Sequence, residues 1–162
     1  MIPVGTNDME LIVREVLSQM KATTTMNLKL ALALMEKVEA EAKRIGVKAV
    51  VAVSDASGRP VAIHCTDGAF IGSYDVALNK TYTAVAFQMS TAKLAELAAP
   101  GGSLYGIQHT NEGKVVIFGG GEPLEVNGVI IGGLGVSGGS EEQDTFLAEY
   151  GKNKFKEAIA NI

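Results

Sequence analysis

The sequence predicts an α+β fold in which helices flank an antiparallel β-sheet. Two hairpin signals support this prediction, the turn at residues 55–58 and the Asn127-Gly128 pair. Tight hairpins join antiparallel strands, because a parallel connection needs a crossover of a dozen or more residues. The element order, with paired helices before and between the strand groups, fits the same class. The length of 162 residues suits one domain.

The first 21 residues are predicted to form a separate amphipathic helix. Six apolar residues from Met9 to Met20 recur at helical spacing, and mostly polar residues occupy the opposite face. An isolated helix of about 14 residues is marginal in water, so this apolar face needs a partner. Residues 22–26, rich in threonine, are predicted to be a linker, and residues 27–162 the main domain.

The main domain is predicted to begin with a helix and a hairpin. The helix covers residues 28–45, with Asn27 as its N-cap and Gly46 at its end. Residues 47–55, rich in valine, and residues 59–65 have the pattern of two strands joined by a turn.

Two helices are predicted in the middle of the chain. The first begins at Ser73, ends at about residue 87, and has one face made of the small residues Ala77, Thr81 and Ala84. Such a face lets a neighbour approach closely, and we interpret it as a surface for self-association. A short helix over residues 91–98 follows.

The last part of the chain is rich in strands and holds ten of the 19 glycines, between residues 113 and 139. Strands are predicted over residues 114–118, 122–126 and 129–136, and a final helix over residues 141–159. With the first hairpin, this gives a five-stranded antiparallel sheet.

Composition disfavours several classes of protein. The formal net charge of −4 gives no indication of nucleic-acid binding. No apolar run approaches about 18 residues, so no membrane helix is expected. The N-terminus lacks the pattern of a secretory signal. The single cysteine, Cys65, excludes an intramolecular disulfide and is typical of a reducing compartment, which favours the cytoplasm.

The glycine-rich stretch at residues 133–139 matches two catalytic or cofactor motifs without their context. G-x-S-x-G needs a later histidine, and none follows His109. G-x-G-x-x-G needs a βαβ unit, which the predicted hairpin does not provide. The amides of Gly138, Gly139 and Ser140, at the start of the last helix, have instead the character of an anion-binding site.

Three side chains are candidates for a functional site. His109 lies in a loop just after Tyr105, and functional residues are frequent in loops. His64 ends a predicted strand, with too few ligand-type neighbours for a structural zinc site. Lys80 lies in the middle of a helix and is either a surface lysine or a cation that faces an acidic ligand.

Four ordered segments together resemble the GlcG/HbpS family, which includes the C-terminal domain of PduO proteins. They are NKTYTA at residues 79–84, GGSLYG at 101–106, FGGGEPL at 118–124 and IGGLGVSGG at 131–139, with Asp144 beyond the last. The resemblance covers about residues 27–160. It implies a profilin-like five-stranded antiparallel sheet flanked by helices. It also implies compact homo-oligomers, often octamers, and a haem or corrinoid ligand.

The resemblance leaves the ligand of the iron open. No histidine lies in the first long helix of the domain, and Cys65 stands where the family commonly has arginine. His109 is the candidate axial ligand of haem, with His64, Cys65 or a methionine as alternatives. Other expected cofactor-binding residues would donate hydrogen bonds to the ligand's carboxylates. The full expected set is His64, Lys80, Tyr105, His109, Gly138, Gly139 and Ser140.

The segment over residues 9–20 is similar to the encapsulation peptides that direct proteins into bacterial microcompartments. An extra helix packed on the domain is the alternative. The leading hypothesis is a non-catalytic haem- or corrinoid-binding domain that stores, delivers or senses its cofactor in a microcompartment lumen. Its expected partners are shell or cargo proteins. The alternatives are a binder or enzyme for a small acid or aldehyde in glycolate- or diol-type metabolism, and a structural oligomeric scaffold.

Overall fold

The computed structural model describes residues 10–11 and 25–160, with the side chains of 158–160 excepted. The predicted N-terminal helix and most of the predicted linker lie outside the described residues. Only Glu10 and Leu11 of that helix are described, and both are helical. In chain order the elements are α1 (Leu28–Arg44), β1 (Val50–Asp55), β2 (Pro60–Cys65), α2 (Ser73–Ala86), α3 (Thr91–Ala98), β3 (Gly121–Val126), β4 (Val129–Ser137) and α4 (Glu141–Ala160).

The strands form one antiparallel sheet in the order β2-β1-β4-β3. Both predicted hairpins are present. In the first, the side chain of Asp55 accepts hydrogen bonds from the amides of Ser57 and Arg59. In the second, Asn127 and Gly128 both have positive φ, as a type I′ turn requires. The predicted α+β class with antiparallel pairing is therefore confirmed.

The predicted strand over residues 114–118 does not form, so the sheet described here has four strands and not five. Its backbone is bonded to a helix side chain. The amide of Val116 donates to Oγ1 of Thr83 at 3.0 Å, and that hydroxyl lies 3.3 Å from the carbonyl of Lys114. A continuous apolar run such as residues 115–118 looks the same in the sequence whether the extended segment pairs with a strand or lies against a helix.

The main core lies between one face of the sheet and the helices α1 and α4. Helix α1 begins where predicted, because the side chain of Asn27 accepts a hydrogen bond from the amide of Leu30 at 3.0 Å. Its buried stripe packs with residues of the strands and of α4. The largest fully buried apolar side chains of this cluster are Phe155, Met35, Leu124, Leu134, Leu147, Val38, Val51, Val53 and Val136.

Helix α2 packs on the other face of the sheet, against glycines of β4. A Cβ atom at Gly135 would collide with the backbone carbonyl of Ala77, and one at Gly133 would lie 2.6 Å from Oγ1 of Thr81. The small-residue face of α2 is thus used inside the subunit. Our interpretation of this face as a surface between copies is wrong, because the glycines of β4 already occupy it.

Candidate functional site

Lys80 is fully buried, although it is a lysine in the middle of helix α2. Its Nζ donates to Oδ2 of Asp144 at 2.9 Å and to the carbonyl of Val136 at 2.8 Å. The ring centroid of Phe118 lies 4.9 Å from the same atom. Burial lowers the pKa of Lys80 below its ordinary value, and the attraction of Asp144 only partly opposes this. The acidic group that faces this lysine therefore belongs to the chain itself.

The glycine amides at the start of α4 also have acceptors within the chain. Gly139 donates its amide to Oδ1 of Asp144 at 2.9 Å. The amide of Ser140 donates to Oε1 of Gln143, and the amide of Gln143 donates to Oγ of Ser140, which is a reciprocal capping box. Lys80, Gly139 and Ser140, which are all expected cofactor-binding residues, thus lie close together. Their hydrogen bonds go to acceptors of the chain itself.

Two more glycine positions explain why this network can close. Gly138 has a φ of +153°, and a Cβ atom there would collide with the carbonyl of Lys48. Gly120 has a φ of +111°, and its Cβ would lie 2.6 Å from Nζ of Lys80. Side chains at these positions would displace either the strand or the buried ammonium group.

His64 and Glu39 form a second polar pair, away from Lys80. It lies near the end of the edge strand β2, directly opposite Val51 of β1, whose side chain belongs to the α1-side core. Its Nδ1 lies 2.6 Å from Oε1 of Glu39 on α1. The two side chains are 41% and 26% exposed. Among the described residues, Nε2 of His64 has no hydrogen-bond partner.

A cleft of about 600 Å³ lies beside this pair, between α1 and the segments that precede β1 and follow β2. Glu39 lines it, with the apolar residues Ala40 and Val47 and the cations Lys43 and Lys48. The volume falls within the range of about 300–1,000 Å³ that small-molecule sites usually have.

His109 and Tyr105 lie elsewhere, in the loop after α3. His109 ends the short 3₁₀ helix Ile107–His109 and is exposed, with Nε2 at 3.5 Å from Nε2 of Gln108. Tyr105 is 68% exposed. Oε1 of Gln108 is buried and unpartnered in the part of the chain that the structure describes. The structure thus divides the predicted site into three places: the Lys80 network, the His64 pair and this loop.

Sequence reasoning missed Glu39, Lys43 and Lys48. They lie on the polar side of α1 or just after it, where charged residues are expected in any case. Nothing in the sequence links Glu39 to a histidine 25 positions away. Asp144 was named with the fourth segment of the family resemblance, and the structure shows that it is the counter-ion of Lys80.

Two kinds of feature are absent from the described residues. They contain no group of three or more His, Cys, Asp or Glu side chains placed to hold a metal ion. None of the helices in these residues has both the length and the apolar character needed to cross a bilayer.

Comparison with known proteins gives several matches. An uncharacterised 15.0 kDa protein of Citrobacter freundii, from the dhaT–dhaS intergenic region, is 44% identical over 140 residues, which are 86% of this chain and 97% of that protein. The corrinoid adenosyltransferase PduO of Salmonella typhimurium is 42% identical over 108 residues. That match covers 67% of this chain but 32% of PduO, so this chain corresponds to about a third of the enzyme.

A solved structure described as a PduOC–haem complex has the same fold. It is 35% identical, with a TM-score of 0.77, and the match covers 80% of this chain and 94% of that one. Residues 26–152 match the family described as haem-degrading protein HbpS-like. The resemblance inferred from the four sequence segments is therefore confirmed, and the chain belongs to the HbpS-like family.

Proposed function

We propose that this chain is a haem-binding domain that stores, delivers or senses its cofactor and carries out no chemistry of its own. The observation that carries the proposal is the haem complex of a relative with 35% identity and the same fold. Haem supplies four of the iron's ligands, so the protein need provide only an axial ligand, an apolar slot and partners for two propionates.

The described residues fit those needs at the surface and not in the buried Lys80 network. Two imidazoles, those of His64 and His109, are exposed enough to reach an iron atom. A cleft with apolar, cationic and acidic walls borders Glu39, the hydrogen-bond partner of His64. The amides of Gly139 and Ser140, expected to hold carboxylates, already have acceptors, so they favour no small-acid site at that helix start.

A corrinoid is the second candidate ligand. The observation in its favour is the similarity to one third of a protein described as a corrinoid adenosyltransferase. The proposed role is binding alone, because most of that enzyme has no counterpart in this chain.

We also place the domain in the lumen of a bacterial microcompartment, as a homo-oligomer larger than a dimer. The encapsulation-peptide pattern of residues 9–20 supports the location. Exposed apolar side chains at Phe70 (74%) and Ile71 (95%) support self-association, since such adjacent groups on one turn favour burial against another surface. Light scattering of the full chain should give a mass well above that of one subunit.

Titration of the full chain with haemin tests the ligand. We expect a Soret band that saturates at a fixed ratio of haem to subunit. Cyanocobalamin, added under the same conditions and followed by its own visible bands, should compete weakly or not at all. A haemin titration that never saturates would contradict the haem proposal, and saturable binding of cobalamin alone would favour the corrinoid.

A further inference from the structure

We propose that strand β2 pairs antiparallel with β2 of a second copy of this chain, about a twofold axis that passes through His64. This inference rests on the proposed function, because it names the surface through which the proposed homo-oligomer assembles. The pairing joins the sheets of the two copies into one continuous antiparallel sheet.

The outer edge of β2 carries backbone groups that point away from the sheet. Strand β2 is at one end of the strand order, so only β1 lies beside it. The amide of Thr66 donates to the carbonyl of Ala49 at 3.1 Å, directly after the paired residues of the two strands. In an antiparallel pair every second residue directs its N–H and C=O groups outward. Those of Ile63 and Cys65 therefore point outward, and no described residue is hydrogen-bonded to them on that side.

The opposite edge of the sheet, at β3, is protected in a way that β2 is not. Pro123 removes a donor from the middle of β3, and the amide of Gly121 donates to Oγ1 of Thr91 on α3. Strand β2 has its proline, Pro60, at its first position and contains no Lys, Arg, Asp or Glu. Charged side chains, proline or a covering segment are what usually keep an edge strand from pairing, so β2 is open to another strand.

One antiparallel register uses both outward residues fully. With the axis at His64, Ile63 of each copy lies opposite Cys65 of the other, and each such pair exchanges two hydrogen bonds. The irregularity in the β1–β2 register, at Val61, lies outside this stretch. His64 is on the axis and keeps Glu39 as its partner within its own subunit. The contact is self-complementary, as a twofold interface requires.

Charges at the two ends of β2 favour a partner strand that runs antiparallel. Arg59 precedes the strand and Asp67 follows it, and both are exposed without an ion pair among the described residues. In the proposed register Arg59 of one copy is the diagonal neighbour of Asp67 of the other, at about 7–8 Å, which long side chains can span. A parallel pairing would place like charges next to each other at both ends.

An exposed apolar surface lies next to this edge. Ala69 and Ile63 pack together on the α2 side of the sheet. Phe70 and Ile71 follow Ala69 and are 74% and 95% exposed, and Tyr74 in the first turn of α2 is 44% exposed. A stable interface buries about 800 Å² on each partner, which is more than one strand edge provides. Burial of these three side chains against the second copy adds to the area of the paired strands.

The single cysteine makes the register testable by disulfide cross-linking. In Ile63→Cys the new thiol lies opposite Cys65 of the other copy. Oxidised glutathione, which is reduced as the disulfide forms, should therefore convert this variant into a covalent dimer on a non-reducing gel. The parent protein should remain a single chain on that gel, because its two Cys65 residues are about 9 Å apart between Cα atoms, too far for a disulfide. Val129→Cys, at a 51% exposed position on β4, is the matched control and should also remain a single chain.

Two further variants test the assembly without a disulfide. Ile63→Pro removes the outward amide and leaves the hydrogen bonds to β1 in place, as proline at an edge strand allows. Ile71→Lys places a charge in the apolar surface, at a side chain too exposed to affect the fold of one subunit. The mass from light scattering should fall by at least half in both, and Val129→Lys should keep the mass of the parent protein. Circular dichroism of each variant shows whether it is folded.

The outcomes separate this inference from the proposed function. A parent protein with the mass of one subunit would overturn both the homo-oligomer and the pairing. An oligomer whose Ile63→Cys variant forms no covalent dimer would overturn the pairing alone, and so would an unchanged mass in folded Ile63→Pro and Ile71→Lys. Equal cross-linking of Val129→Cys would overturn it as well, because random collision would then account for the disulfide.

Discussion

Two polar pairs in this chain differ in what they leave for a ligand. Lys80 and Asp144 are 0% and 5% exposed, and together they contact the carbonyl of Val136 and the amide of Gly139. His64 and Glu39 are 41% and 26% exposed, beside a cleft, with one imidazole nitrogen unpartnered in the described residues. The first pair has the geometry of a structural ion pair, whereas the second is partly open to solvent.

The difference shows what the family resemblance can and cannot indicate. Residues 79–84, 118–124 and 131–139, which carry much of the resemblance, meet around the buried Lys80. The exposed pair, Glu39 and His64, lies outside those segments. A resemblance carried by packing residues is strong evidence for the fold and weak evidence for the position of a ligand.

The largest effect should come from breaking the buried pair on one side. Asp144→Ala leaves the Lys80 ammonium buried without its counter-ion, and we expect a loss of about 3–5 kcal/mol in the free energy of unfolding. The double variant Lys80→Met, Asp144→Leu should lose far less, because no unpaired charge remains. Urea unfolding at a fixed protein concentration measures both.

Lys93→Ala is the control for that comparison, since Lys93 pairs with Glu96 on the exposed face of α3. Its effect should stay below about 1 kcal/mol. Equal losses in Asp144→Ala and Lys93→Ala would mean that the buried pair has no special structural role.

A smaller loss should follow from filling the contact between α2 and β4. In Gly135→Ala the new methyl group meets the backbone of Ala77, which cannot rotate away. Overpacking of this kind costs typically about 1–3 kcal/mol. Gly72→Ala is the matched control, because nothing lies within 4 Å of a Cβ at Gly72 and its φ is −64°. Thermal unfolding of both variants tests whether the glycines of β4 are needed for close packing.

The sequence predicted most of this fold, because its local signals agree with the final packing. The side chain of Asn27 caps α1, and the Asn127-Gly128 pair forms the hairpin turn. These residue types have the same preferences in isolated peptides, so the local and the final structure agree. Residues 114–118 were mispredicted, since an extended apolar segment reads the same beside a strand or under Thr83. The pair of His64 and Glu39 could not be predicted, because it depends on how β2 is placed against α1.

A still smaller effect should appear in how the free energy of unfolding depends on pH, because Lys80 is buried whereas most lysines are exposed. Burial holds the folded-state pKa of Lys80 below 10.5, its ordinary value. Between these two pKa values the unfolded chain binds more protons than the folded chain, so the contribution of Lys80 to stability rises with pH. Below the folded-state pKa its desolvation cost is present in full.

The comparison is made by urea unfolding of the parent protein and Lys80→Met between neutral pH and 10.5. The difference between their unfolding free energies should change in favour of the parent as pH rises. A difference that stays constant, or changes in the opposite direction, would contradict a lowered pKa for Lys80.

The smallest effect on the domain should come from deleting residues 1–24. Among the described residues the first member of the buried core is Met26, and the family match begins at residue 26. We expect the melting temperature, oligomer mass and haemin titration to stay nearly unchanged, while co-purification with microcompartment shells is lost. A fluorescent protein fused to residues 1–24 should in turn collect in microcompartments of a host that builds them.

The deletion is informative because the alternative predicts a large effect. Six apolar residues that packed on the domain would contribute about 1.5–3 kcal/mol each when fully buried, and their removal would lower the melting temperature sharply. The double variant Val13→Glu, Leu17→Glu places two charges on the apolar face and should reproduce the deletion in both assays. A truncated domain that unfolds or aggregates, together with a fusion that stays diffuse, would show that the helix belongs to the fold. Unchanged stability with lost co-purification would show instead that its apolar face binds a partner.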